Sequence, residues 1–171
     1  MEEILIVDGY NIIGAWTELR HLKEKGLLSE ARDDLLTWLG EYKAFSGRTV
    51  IVVFDAHQIK GKGKKYFDQR VIIYYTEEDE TADELIEKLV VKLNHKKKRI
   101  YVATSDYTEQ RVVFGQGALR ISARELEIEK EALGKSITNK VNSSNGKTNS
   151  NIFSNLDEEM KKIFDKWRRS K

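Results

Sequence analysis

Four short apolar runs constrain this chain more than any other feature. They are Ile4–Val7, Val50–Phe54, Val71–Tyr75 and Ile100–Ala103. Each is near-continuous in apolar residues rather than alternating, which suits strands covered on both faces, as in a parallel sheet. Helix-like segments separate most of them. Ser29 is placed to cap a helix reaching about Phe45, with Leu28, Ala31, Leu35, Trp38, Leu39, Tyr42 and Phe45 at helical spacing and Gly47 just past the end. Thr81-Ala82-Asp83-Glu84 and Ser122-Ala123-Arg124-Glu125 both read as capping boxes that open helices. A short fifth strand fits Leu119–Ile121. The expected class is α/β, with a central parallel sheet of about four to five strands flanked by helices.

The 171 residues suit one domain with a sizeable core. Composition shifts near the end. Residues 134–151 hold five Asn, four Ser, three Lys, two Thr, two Gly and two aliphatics. They read as a polar linker or loop between a domain spanning 1–133 and a C-terminal helix in 152–171. In that last segment Leu156, Met160, Ile163, Phe164 and Trp167 fall at helical spacing, a stripe expected to dock on the domain. No run of 18 apolar residues occurs, and Met1-Glu2-Glu3 is acidic where a signal peptide needs a basic start. A cytoplasmic protein with no membrane partner is expected.

The chain has no cysteine and only three histidines, His21, His57 and His95. Disulfide and thiolate chemistry are excluded, and a metal site must rest mainly on oxygen donors. The strand ends supply them. Asp8 follows the first strand, Asp55 the second and Asp106 the fourth, while Asp83 lies in the first helical turn after the third. In a parallel sheet these ends share the edge where α/β folds place their sites. One such Asp is ordinarily a cap or turn former. Four together are costly: two carboxylates about 4 Å apart repel by roughly 4 kcal/mol at an effective dielectric of about 20. Helix N-termini return only about 0.3–1 kcal/mol each. A hard divalent ion, Mg²⁺ or Mn²⁺, resolves the conflict and suits phosphodiester hydrolysis. Asn11 is placed to hold a carboxylate, to orient a phosphate or simply to form a turn.

These residues resemble the NYN family of PIN-like ribonucleases, in its bacterial YacP branch. The resemblance rests on Val7-Asp8-Gly9-Tyr10-Asn11-Ile12-Ile13-Gly14-Ala15-Trp16, Val53-Phe54-Asp55-Ala56-His57, Glu80-Thr81-Ala82-Asp83-Glu84 and Val102-Ala103-Thr104-Ser105-Asp106-Tyr107-Thr108-Glu109-Gln110. Phe114–Arg120, Ser122–Leu126 and the tail Phe164–Arg169 match as well. The resemblance implies a Rossmann-like PIN/NYN fold and a metal-dependent endoribonuclease. It places the metal on Asp8, Asp83 and Asp106, with Asn11 and Asp55 in the catalytic set. It also implies mRNA as substrate and the ribosome as partner.

An RNA substrate needs phosphate contacts. Lys60, Lys62, Lys64 and Lys65 form a glycine-interrupted basic loop after the second strand, and Arg168 and Arg169 close the terminal helix. Each group reads equally as a solvated surface. Two other functions fit parts of the pattern. A receiver-like signalling domain would use Asp55 as phosphoacceptor, and a ribosome-binding module would use the basic segments without catalysis. No G-x-x-x-x-G-K-[ST] motif or complete dinucleotide fingerprint occurs, so no nucleotide cofactor is expected.

Overall fold

In the computed structural model, which describes residues 1–56, 65–68, 70–106, 115–143 and Lys162, the strand β1 (Glu2–Asp8) lies at the middle of the sheet. It is followed by α1 (Gly9–Ala15), α2 (Thr17–Glu24), α3 (Leu28–Ser46) and β2 (Thr49–Phe54). Then come β3 (Lys65–Asp68), β4 (Val71–Tyr75), α4 (Ala82–Leu93), β5 (Lys98–Ala103), β6 (Leu119–Ile121) and α5 (Ala123–Ser143). The sheet order is β3-β4-β2-β1-β5-β6. Strands β4, β2, β1, β5 and β6 are parallel, with Ile6 opposite Ile51 on one side and Val102 on the other. Only β3 runs antiparallel, against β4. The chain builds outward from β1 through β2 to β4, then returns to the other flank with β5. The order therefore reverses between β1 and β5.

The apolar runs form the expected parallel strands. The four residues of β3 went unread because a short edge strand carries little apolar signal. Lys65 is consequently the first residue of that strand and pairs with Tyr74, rather than belonging to a loop. Ser29 does not cap α3. The preceding helix ends with Leu27 N–H donating to the Leu22 carbonyl at 2.9 Å and Gly26 N–H to Lys23 at 3.0 Å, and α3 begins directly at Leu28 with no side-chain cap. Gly47 does end α3, at φ 70°.

Alternation along the strands splits the core. Ile4, Ile6, Ile51, Val53, Ile100 and Val102 face α4 and its Ile86, Leu89 and Val90. On the other face Leu5, Val7, Val50, Val52 and Phe54 are buried, and Tyr10 of α1 packs on Phe54 at 5.1 Å between ring centroids. Trp16, Trp38 and Tyr42 continue this face as an aromatic chain with spacings of 5.1 and 5.2 Å. The Phe54 ring passes so close to Gly9 that a Cβ there would lie 2.2 Å from its Cε1.

The chain divides into two compact units, Met1–Lys130 and Glu131–Lys171. The polar stretch expected as a linker from 134 is helical as far as Ser143. Its hydroxyls fold back on the helix without breaking it: Ser136 donates to the Ala132 carbonyl and Thr138 to Gly134, each at 3.0 Å. The stripe from Leu156 to Trp167 lies outside the described residues, apart from Lys162, which is helical. Among the described residues, no helix is long and apolar enough to cross a membrane.

A buried polar group sits where β1 and β2 begin. Arg48 donates to Glu3 at 2.9 Å and to the Tyr42 hydroxyl at 2.6 Å, and its guanidinium stacks 4.4 Å above the Tyr101 ring. Glu129 of α5 is 2% exposed, and neither of its carboxyl oxygens reaches hydrogen-bond geometry. Burial pushes the Glu129 carboxyl up to about 7, against the opposing pull of Tyr42 and Arg48.

Two outcomes follow. Gly9→Ala should cost about 1–3 kcal/mol in urea unfolding through overpacking, and adding Phe54→Leu should recover part of that loss. Glu129 binds its proton more tightly folded than unfolded, so its contribution should decline as pH rises from its ordinary value of 4.5 towards about 7. The decline should reach roughly 3 kcal/mol at most, at about 1.4 kcal/mol per pH unit. Unfolding curves across that range should be flatter for Glu129→Gln, which should exceed the parent in stability above pH 7.

Candidate functional site at the carboxyl edge of the sheet

The acidic residues lie where parallel pairing carries them. Asp8 ends β1, Asp55 follows β2, and Asp106 stands three residues past the end of β5. Asp83 occupies the first turn of α4. Asp8 is 7% exposed, Asp55 and Asp106 are half-buried, and Asp83 is exposed. Since β1 sits between β2 and β5, Asp8 is flanked by the other two strand ends. The crevice between β1 and β5 is the topological switch point, where open α/β sheets place ligands.

A chain of hydrogen bonds spans that crevice. Asp8 caps α1 and accepts from the Asn11 N–H at 3.4 Å. The Asn11 side-chain oxygen accepts from the Ser105 N–H at 2.7 Å, joining α1 to the segment after β5. Ser105 Oγ in turn accepts from Ala123 N–H at 3.3 Å, at the start of α5. The Ala123 carbonyl accepts from Trp16 Nε1 at 2.8 Å, which returns the chain to the end of α1. Thr104 Oγ1 accepts from the Asp106 N–H at 3.1 Å and bends the segment that presents Asp106. Asn11 is thus a brace between two strand ends, and Thr104 supports the Asp106 backbone.

On the α4 side, Thr81 and Glu84 form the expected capping box, with bonds of 3.2 Å each way. Asp83 is left at the positive end of the helix, worth about 0.3–1 kcal/mol to its charge. Exposed Glu77, Glu78 and Asp79 precede it. The Ser122–Glu125 box also forms and opens α5.

The donor set along this edge is carboxylate and amide oxygen, which suits a hard cation. Among the described residues, however, no three Asp, Glu or His side chains gather closely enough to hold a metal ion. Asp8, Asp83 and Asp106, expected to hold the metal, do not stand as such a group in this structure. The physical reason lies in their supports: Asp8 turns into the α1 cap, while Asp83 stands exposed on a helix. Mg²⁺ ordinarily takes one or two carboxylates and keeps several waters, so a cage of three is not needed for a fit.

The opposite rim was not read from the sequence. Arg32 of α3 donates from Nη1 to the Tyr10 hydroxyl at 3.0 Å. Burial raises the Tyr10 phenol pKa, opposed by Arg32 and reinforced by Tyr75 and Asp55. The signal available in the sequence was an Arg placed directly after Ala31 of the α3 apolar stripe. Lys60, Lys62, Lys64, Arg168, Arg169, His57 and Tyr107 lie outside the described residues, as does the Lys65 side chain.

Comparison with known proteins bears on the family and the fold. Residues 5–169 match the family model described as a YacP-like NYN domain. The chain is 50% identical over 167 residues to the uncharacterized protein YacP of Bacillus subtilis, covering 98% of this chain and 97% of that one. It resembles the crystal structure of Rae1 (YacP) from Bacillus subtilis with a TM-score of 0.73 and 51% identity, over 98% and 95% of the two chains. A tryptophan-to-leucine mutant of that protein gives a TM-score of 0.76 and 46% identity, over 90% and 89%.

The brace can be checked directly. Asn11→Ala leaves the Ser105 N–H to water and should cost about 0.5–1.5 kcal/mol in stability. Amide exchange should accelerate at Ser105 while the β1 amides remain protected.

Proposed function

This chain belongs to the YacP-like NYN domain family, a nuclease-type family, and from that premise we propose that it is a metal-dependent endoribonuclease. The observation that carries the reading is the Asn11–Ser105 bond, which ties the end of β1 that bears Asp8 to the segment after β5 that bears Asp106, across the β1/β5 switch point. The substrate is a single-stranded stretch of RNA, and the physiological target we propose is mRNA on the ribosome, in the cytoplasm. The bacterial branch to which the motifs correspond supports that assignment.

Asp8 and Asp106 are the residues that would hold Mg²⁺ or Mn²⁺, and Asp83, exposed in the first turn of α4, would complete the set with water between. The ion, when bound, would lower the pKa of a water and stabilise charge on the phosphate oxygens. Everything else falls to the protein. Asn11 and Thr104 hold the segment bearing Asp106 in register with Asp8. Asp55 adds a carboxylate on the β2 side, where it can accept a proton from an attacking water. Helix α4 lowers the cost of holding Asp83 ionised.

Incubation of the full chain with single-stranded RNA should yield internal cuts with Mg²⁺ or Mn²⁺ and none with EDTA. Asp8→Asn, Asp83→Asn and Asp106→Asn should each slow cleavage by about 10²-fold or more, since each tenfold corresponds to about 1.4 kcal/mol of lost transition-state stabilisation. Undiminished cutting by any of these folded variants removes that residue from the site. Mapping of RNA 5′ ends with and without ribosomes would show whether the ribosome supplies the substrate.

A further inference from the structure

The acidic edge needs a counterweight if RNA phosphates are to approach it, and the described structure offers one on the α3 side. Helix α3 leads into β2 through Gly47 and Arg48, so its last turn abuts the start of that strand and its first turns lie at the carboxyl edge. Arg32 falls there, one turn into the helix. Its guanidinium is half-buried and tied by Nη1 to the Tyr10 hydroxyl at 3.0 Å. Tyr10 belongs to the first turn of α1, two residues past Asp8. Its ring rests on Phe54 at 5.1 Å, and Phe54 stacks on Tyr75 at 5.8 Å, so three rings form a floor beneath the β2 side of the edge.

We infer that Arg32, held by Tyr10, is a binding residue for a backbone phosphate of single-stranded RNA at the edge that carries Asp8 and Asp55. This rests on the nuclease reading above and specifies where its substrate enters. Three features support it. A guanidinium has five N–H donors in a rigid fork, and the tyrosine occupies one, so the group is aimed before any ligand arrives. The α4 rim carries exposed Glu77, Glu78, Asp79 and Asp83 and repels a polyanion. Asp33 and Asp34 next to Arg32 are exposed, but each successive residue turns about 100° around the helix, which separates their directions from that of Arg32. Substrate entering from the α3 side thus meets Arg32 before the carboxylates.

The test measures binding of a short single-stranded RNA to the full chain in EDTA, where metal-dependent cutting is off, across a series of salt concentrations. Arg32→Gln should weaken binding by about tenfold and lower the slope of log K against log salt by about 0.7, the loss of one phosphate contact. Arg32→Lys should keep most of the slope but bind several-fold more weakly, because a point charge cannot use the fork. Tyr10→Phe should keep the slope and lose affinity through the freed guanidinium. Arg20→Gln, an exposed position on α2, should match the parent. A purely structural Arg32 would lower the melting temperature without moving the salt slope, and that result overturns the inference. If the parent chain binds RNA and Arg32→Gln binds equally well, the subsite fails while the nuclease reading stands. If the folded parent binds no RNA in EDTA, the subsite fails, and the nuclease reading is decided by the cleavage assay with Mg²⁺ or Mn²⁺.

Discussion

The Asn11 amide oxygen accepts the Ser105 N–H at 2.7 Å, and the organisation of the acidic edge depends on that bond. Strands β1 and β5 are neighbours, but their continuations diverge: one turns into α1 and the other runs towards Asp106. The sheet beneath ties the strands themselves, and the bonds above it tie their continuations. Asn11 joins them at the level of the carboxylates, and Ser105 passes the connection to α5 through Ala123. Trp16 closes it by donating to the Ala123 carbonyl. A net hydrogen bond contributes only about 0.5–1.5 kcal/mol. The importance of these bonds lies in geometry, since they convert loop ends into a framed surface.

The two ends of the sheet handle charge differently. At the start of β1 and β2, Arg48 is enclosed by Glu3, Tyr42 and Tyr101, and the nearby Glu129 is buried deeply enough for its acid form to persist towards neutral pH. That end is closed and contributes to packing. At the carboxyl edge Asp8 is buried as a helix cap, while Asp55 and Asp106 are half-buried and Asp83 is exposed, so solvent reaches these three. An acidic edge open to solvent is a place for a hydrated cation and a polyanion to meet, whereas a buried pair at the other end has no room for either.

Much of the fold was legible because apolar continuity is a local signal. The runs at Ile4, Val50, Val71, Ile100 and Leu119 all became parallel strands, and both capping boxes formed. The misreadings share a cause. Ser29 looked like a cap because serine favours that position, but the turn through Gly26 and Leu27 satisfied the chain first. Residues 134–143 looked like a linker because Asn and Ser are poor helix formers, yet the helix begun at Ala123 continues through them, with Ser136 and Thr138 bonded back to its own carbonyls. Strand β3 was too short to show a pattern and exists because β4 offers it an edge.

The sequence by itself determined which groups could do chemistry. With no cysteine and three histidines, oxygen donors remained, and the strand ends held them. It also determined that those ends would share one edge, because near-continuous apolar strands joined by helices pair in parallel. Only the tertiary structure decided how the acids stand towards one another. Strand order placed β1 between β2 and β5, which put Asp8 beside the switch point and left Asp83 out on a helix. It also brought Arg32 to Tyr10, 22 residues away along the chain. Such contacts depend on strand order and helix packing, which follow from the burial of the whole core and which no local run of residues encodes.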